Sequence, residues 1–145
     1  MRKAKSALLY AWQLPQNLLG YALMKMLGAK KQAVNANGRT IAWHLFAWNR
    51  NRLARFISGV SLGRYILLPY IDAVTVMHEH GHSRQSAMLG PAYLLIVGIP
   101  SALGNLHARR LRAKGTDGYK VTKWYYSQPW EAWADRLGGV KRPWH

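Results

Sequence analysis

Long apolar stretches and short basic clusters alternate along this chain. Residues 6–24, SALLYAWQLPQNLLGYALM, carry no charge, yet Gln13, Pro15, Gln16 and Asn17 break the run in its middle. A stretch of that length nearly spans a bilayer, but the polar break favours a tilted or interfacial helix, with Trp12 and Tyr10 or Tyr21 at headgroup level. A helix packed on the protein's own core is the alternative. Residues 32–46 alternate about Asn37-Gly38, the strongest short-range hairpin signal, which predicts two short strands. His44 falls in the second of them and reads as a surface or satisfied histidine. Residues 53–68 offer one or two further strands bending at Gly59 and Gly63.

Helical signals take over from there. Pro69 ends the strand region, Asp72 is a good N-cap, and Gly90-Pro91 is a stop, so the spacing predicts a helix over 72–89. Residues 85–108 form a second uncharged run. Its prolines and glycines predict a broken or membrane-dipping helix, with a buried hydrophobic helix as the alternative. Residues 114–123 read as a polar loop with a turn at Asp117-Gly118. Ser127 is the expected cap of a last helix with Pro129 in its first turn and Gly138-Gly139 at its end. The basic tail, residues 141–145, reads as flexible.

These elements predict the α+β class. A small antiparallel sheet, made of a hairpin plus an edge strand, packs with the 72–89 helix, a hydrophobic helix and a C-terminal helix. One domain over 1–145 is expected: a membrane-associated N-terminal helix in 1–28, the sheet in 32–68 and the remaining helices in 72–140.

The chemistry lies on two of the predicted helices. His78-Glu79-His80-Gly81-His82 is an H-E-x-x-H pattern. On a helix His78 and His82 lie one turn apart and point the same way, so two imidazoles can grip one ion. Glu79 lies beside them, placed to take a proton from a water that the ion polarises. His80 is most of half a turn around the helix and cannot share that ion. Glu131 opens an E-x-x-x-D pattern ending at Asp135, which puts both carboxylates on one helix face. Glu131 is the candidate third ligand, and Asp135 the candidate acceptor for the free N–H of a liganding histidine. Tyr125, Tyr126 and His107 are candidate donors to a developing oxyanion.

The two motifs together resemble the gluzincin class of zinc metallopeptidases, defined by H-E-x-x-H with a downstream E-x-x-x-D. The chain is similar in size to minimal members of that class, and to small uncharacterised bacterial proteins with H-E-x-G-H and a closing W-A-D-x-x-G-G-V. The likeness covers about half the chain, up to Val140. It implies one zinc ion, a peptide or protein substrate, and a substrate-binding edge strand ahead of the helix, here Ser61, Leu62, Gly63, Arg64 and Tyr65.

Charge adds a partner. The chain has 21 Lys and Arg against five Asp and Glu, a formal net charge of +16, and no cysteine. Any metal must therefore sit on His and carboxylate. The basic residues cluster at Arg2, Lys3 and Lys5, at Lys30-Lys31, at Arg50, Arg52 and Arg55, and over 109–114, on the flanks of the apolar runs. That layout predicts an anionic membrane surface as partner rather than nucleic acid, for which no recognition motif is present. The expected location is the cytoplasmic side of a membrane, with a soluble cytoplasmic protein as the alternative. The leading expectation is a membrane-associated zinc metallopeptidase. The competing one is a non-catalytic membrane-surface protein with a structural metal or polar cluster.

Overall fold

Asp72 starts the helix on which the rest is assembled. Its carboxylate accepts from the Thr75 backbone N–H at 2.9 Å, satisfying one of the orphan donors of a first turn. In the computed structural model, which describes residues 2–34, 40–43, 59–68 and 72–144, that helix runs over Ala73–Leu89 (α3). It follows α1 (Arg2–Trp12), α2 (Leu14–Met26), β1 (Lys30–Val34), β2 (Thr40–Trp43), β3 (Val60–Leu62) and β4 (Tyr65–Leu68). After it come a 3₁₀ turn, a π turn over Leu94–Gly98, then α4 (Ile99–Ala113), α5 (Gly118–Tyr126) and α6 (Pro129–Gly138).

The class is α+β, mostly helical with a small sheet. The sheet has four strands in the order β1-β2-β4-β3. The β1–β2 and β3–β4 pairs are antiparallel, as expected, but β2 and β4 run parallel, so the sheet is mixed. Pattern cannot reveal this, because a strand's alternation is the same whichever way its neighbour runs. The Asn37-Gly38 turn, His44 and Pro69 lie outside the described residues. β3 and β4 join through Gly63-Arg64, where Gly63 takes φ +58°. A two-residue hairpin needs that left-handed value, and glycine adopts it without steric cost.

The polar break at residues 13–17 divides the first apolar run into two helices, and its side chains point inward. Gln13, Gln16 and Asn17 are buried. Gln13 donates to Ser86 Oγ at 2.7 Å, Gln16 donates to the Gly90 carbonyl, and Asn17 accepts from the Arg64 backbone N–H at 2.8 Å. Burying such amides unpaired costs about 1–3 kcal/mol each, so these bonds fix how α1 and α2 sit on the end of α3 and on the β3–β4 turn. Among the described residues the apolar core includes two clusters, Leu27 with Leu67, and Leu62 with Tyr93 and Val97.

Three local expectations are corrected. The polar loop over 114–123 is helical from Gly118, because Asp117 caps α5 by accepting from the Lys120 N–H at 2.9 Å. Ser127 is the C-cap of α5, and Gln128 precedes α6, with Pro129 at its start as expected. The tail is docked: Arg142 bonds Asp135 and covers the Tyr126 ring at 3.6 Å, while Trp144 meets Tyr119 edge to face. In the second apolar run the break falls before Pro100. That residue has no N–H for the helical ladder, and the π turn ahead of it absorbs the mismatch. Among the described residues no helix is long and apolar enough to cross a membrane.

Candidate metal centre

The buried face of α3 is polar. His78, Glu79, His82, Ser83, Gln85 and Ser86 point inward, while Val74, Met77 and Met88 face out. This inversion is tolerable because most of the buried groups find partners, and α6 supplies those of His78, His82 and Gln85. The two helices meet backbone to backbone. A Cβ added at Gly81 would lie 1.9 Å from the Ala134 carbonyl oxygen, and one at Gly138 would lie 2.1 Å from that of Met77. The Gly81 of the H-E-x-G-H motif thus makes room for a neighbouring helix.

That approach carries Glu131 to the histidines. His78 Nε2 is 3.0 Å from Glu131 Oε2, His82 Nε2 is 3.2 Å from the same oxygen, and the two Nε2 atoms are 3.1 Å apart. Zinc bonded at about 2.0–2.2 Å in a tetrahedron separates its ligand atoms by about 3.3 Å, and this triangle is close to that size. His78, His82 and Glu131 are all buried and can hold a metal ion.

The second nitrogens settle the tautomers. His78 Nδ1 donates to Asp135 Oδ1 at 2.7 Å. His82 Nδ1 faces Gln85 Oε1 at 2.8 Å, and the Gln85 amide is oriented by its Nε2 donating to the Trp130 carbonyl at 2.8 Å. With both protons on Nδ1, two imidazole lone pairs and a carboxylate oxygen converge on one point. Three acceptors at that spacing repel unless a cation lies among them, which is the condition a metal or a proton satisfies.

The electrostatics agree. Burial acts to lower the pKa of His78, but the Asp135 and Glu131 carboxylates outweigh it and lift it to about 9. Burial pushes Glu131 up, yet the facing His78 and His82 imidazoles hold it well below the usual carboxylate range. Asp135 is likewise depressed, against the cost of burial, by His78 and by Arg142, whose Nε donates to Oδ2 at 2.8 Å and Nη2 to Oδ1 at 3.0 Å.

Glu79 sits beside the group. Its carboxylate abuts Gly59, where an added Cβ would fall 2.5 Å from Oε1, and Oε2 has no hydrogen-bond partner among the described residues. Burial raises its pKa, with His82 and His78 pulling the other way. His78, Glu79 and His82 line a cavity of about 680 Å³, with Ser61 and Leu62 of β3, Tyr93, and Tyr125 and Tyr126 of α5 along its walls.

The candidate oxyanion donors separate. Tyr125 bonds Ser101 Oγ at 3.1 Å, and the Tyr126 ring stands edge-on to His78 at 5.1 Å. Burial raises the pKa of both, so each keeps its proton as a donor. His107 is exposed, packs on the Trp124 ring at 4.8 Å and is not in the cavity wall. Of the expected edge-strand residues, Ser61 and Leu62 lie on β3 at the sheet edge. Gly63 and Arg64 form the turn, and Tyr65 belongs to the inner strand β4.

Sequence reasoning missed Gln85, Arg142 and Tyr93. The first follows His82 by one helical turn, a spacing that does signal a partner. Arg142 gave no signal, since its contact depends on the tail folding back. Tyr93 donates to the Ser61 carbonyl at 2.9 Å and so ties the edge strand to the far wall.

No protein-family model matches the chain, and comparisons with curated proteins and with solved structures find no match. Fold and site together define an α+β protein with a buried His-His-carboxylate group, able to hold a metal ion, at the side of an open cavity.

Proposed function

We propose that this protein is a zinc-dependent metallopeptidase acting at an anionic membrane surface. One observation carries the reading: the converging donors of His78, His82 and Glu131 lie beside the buried Glu79 carboxylate, whose Oε2 has no hydrogen-bond partner among the described residues, in the wall of a cavity of about 680 Å³. A structural metal site is closed by four protein ligands, whereas three ligands facing an open cavity leave a position for reactants. Two imidazoles and a carboxylate are the borderline ligand set that zinc takes.

Zinc held by His78, His82 and Glu131 would supply Lewis acidity, polarising a scissile carbonyl and acidifying a water. The Glu79 carboxylate takes a proton from the attacking water as the water oxygen joins the carbonyl carbon. It then hands the proton to the amide nitrogen as the C–N bond breaks. Desolvation strengthens Glu79 as a base. Tyr125 or Tyr126 donates to the oxygen on which charge develops. The β3 edge accepts the peptide in extended form through main-chain bonds. Asp135 and Gln85 hold the two imidazoles with Nε2 turned inward.

Metal content and peptide cleavage, measured on the same preparations, test this. Wild type should carry one zinc per chain and cleave peptides. Glu131→Ala should lose the metal, and Glu79→Gln should keep it while losing at least the ~10²-fold that a positioned general base contributes. Undiminished cleavage by Glu79→Gln would remove the mechanism.

A further inference from the structure

Two helices in this protein turn rows of apolar side chains outward. On α2, Gln16, Asn17 and Gly20 are buried, while Leu14, Leu18 and Tyr21 face out, Leu18 at 59% exposure. In the stretch from the π turn through α4, Leu95, Ile99, Leu103 and Leu106 face out, Leu95 at 70% and Leu103 at 61%. Both sets step by three or four residues, so each is a continuous stripe along one helix side. The next step of each stripe is an exposed cation, Lys25 on the first and Arg110 on the second. Scattered exposed leucines are ordinary, but continuous stripes of this extent mark a surface that is covered.

The α4 stripe borders the cavity, and so does Leu19 beside the α2 stripe. Leu19 of α2 and Ile99 and Leu106 of α4 are exposed and also line the cavity, so they form its rim. Charge selects what covers this face. Each stripe ends in a cation on a chain of net charge +16, so a second copy would set like charges against each other. An anionic bilayer instead takes the leucines into its acyl boundary and the Lys25 and Arg110 head groups into its phosphates.

We propose that the α2 and α4 stripes lie in the interface of an anionic bilayer and that the cavity opens to the lipid between them. The substrate is then an apolar, extended segment of a membrane-anchored polypeptide, delivered from the lipid side. This substrate assignment rests on the metallopeptidase reading, but the bilayer contact does not. The rim of Leu19, Ile99 and Leu106 accepts apolar side chains.

The natural absence of cysteine permits single-site labelling. An environment-sensitive fluorophore is placed on Leu18→Cys, Leu103→Cys and, outside both stripes, Arg136→Cys of the zinc-loaded protein. Each is mixed with phosphatidylglycerol–phosphatidylcholine vesicles. Emission at 18 and 103 should shift to the blue and be quenched by spin-labelled lipid, and emission at 136 should do neither. In parallel, one apolar peptide is offered with and without an acyl anchor that holds it in the vesicle. The anchored form should be cleaved at least ~10-fold faster at equal bulk concentration, from the raised local concentration. Labels at 18 and 103 that stay in water overturn the proposal whatever the cleavage result. Buried labels with equal cleavage of both peptides overturn delivery from the lipid. Buried labels with neither peptide cleaved by metal-replete protein leave the bilayer contact standing but overturn the peptidase reading and the substrate assignment with it.

Discussion

Gly81→Ala is the most informative perturbation, because it alters neither a ligand nor a charge. The new Cβ would sit 1.9 Å from the Ala134 carbonyl oxygen, whereas carbon and oxygen approach only to about 3.3 Å even in the closest favourable contacts. α3 and α6 must therefore part by about 1.4 Å. Glu131 rides on α6 one turn before Ala134, so its carboxylate moves with the helix, while metal–ligand distances tolerate only about 0.2 Å. The displaced carboxylate should cost zinc affinity at least the 10–100-fold seen when a mere orienting partner is lost. Overpacking costs about 1–3 kcal/mol, against about 1 kcal/mol gained from alanine's helix propensity, so metal-free stability should also fall. The assay is competitive zinc titration with a chromophoric chelator, alongside thermal melts of metal-free protein. Gly118→Ala is the control: nothing lies within 4 Å of its Cβ position at the start of α5, so it should be neutral or slightly stabilising. A Gly81→Ala protein with wild-type zinc affinity and melting temperature would show that the two backbones do not touch and refute the reasoning.

The other predictions concern the supports of the site and its protons. Asp135→Asn should weaken zinc binding ~10–100-fold, since His78 Nδ1 loses the carboxylate that makes it a basic ligand, and Arg142→Ala should do so to a smaller degree. Gln85→Leu frees the His82 ring to adopt either tautomer and should raise the zinc dissociation constant with no change in net charge. In metal-free protein the raised His78 pKa stabilises the fold by about 3 kcal/mol at pH below 6.5, and this is lost as pH climbs through about 9. Denaturant melts in chelator should follow that decline. Zinc must displace the same proton, so its apparent affinity should rise about tenfold per pH unit until about pH 9. Flat behaviour in either titration would place the proton elsewhere.

Much of the site was legible in the chain because helical spacing and capping are local. Asp72, Gly90 and the Gly138-Gly139 pair closing α6 bound their helices wherever those helices go, so the facing of His78 and His82, and of Glu131 and Asp135, followed from residue order alone. Other features needed the folded molecule. A hydrophobic pattern predicts an apolar inner face, yet α2 and α3 bury glutamine, asparagine, histidine and glutamate, because their partners arrive from elements dozens of residues away. The parallel β2–β4 pair, the return of Arg142 to Asp135 and the departure of His107 from the cavity are likewise long-range outcomes. The approach of α6 to Gly81 is of the same kind: the sequence shows a missing side chain, and only tertiary packing decides which backbone fills the space and brings Glu131 to the histidines.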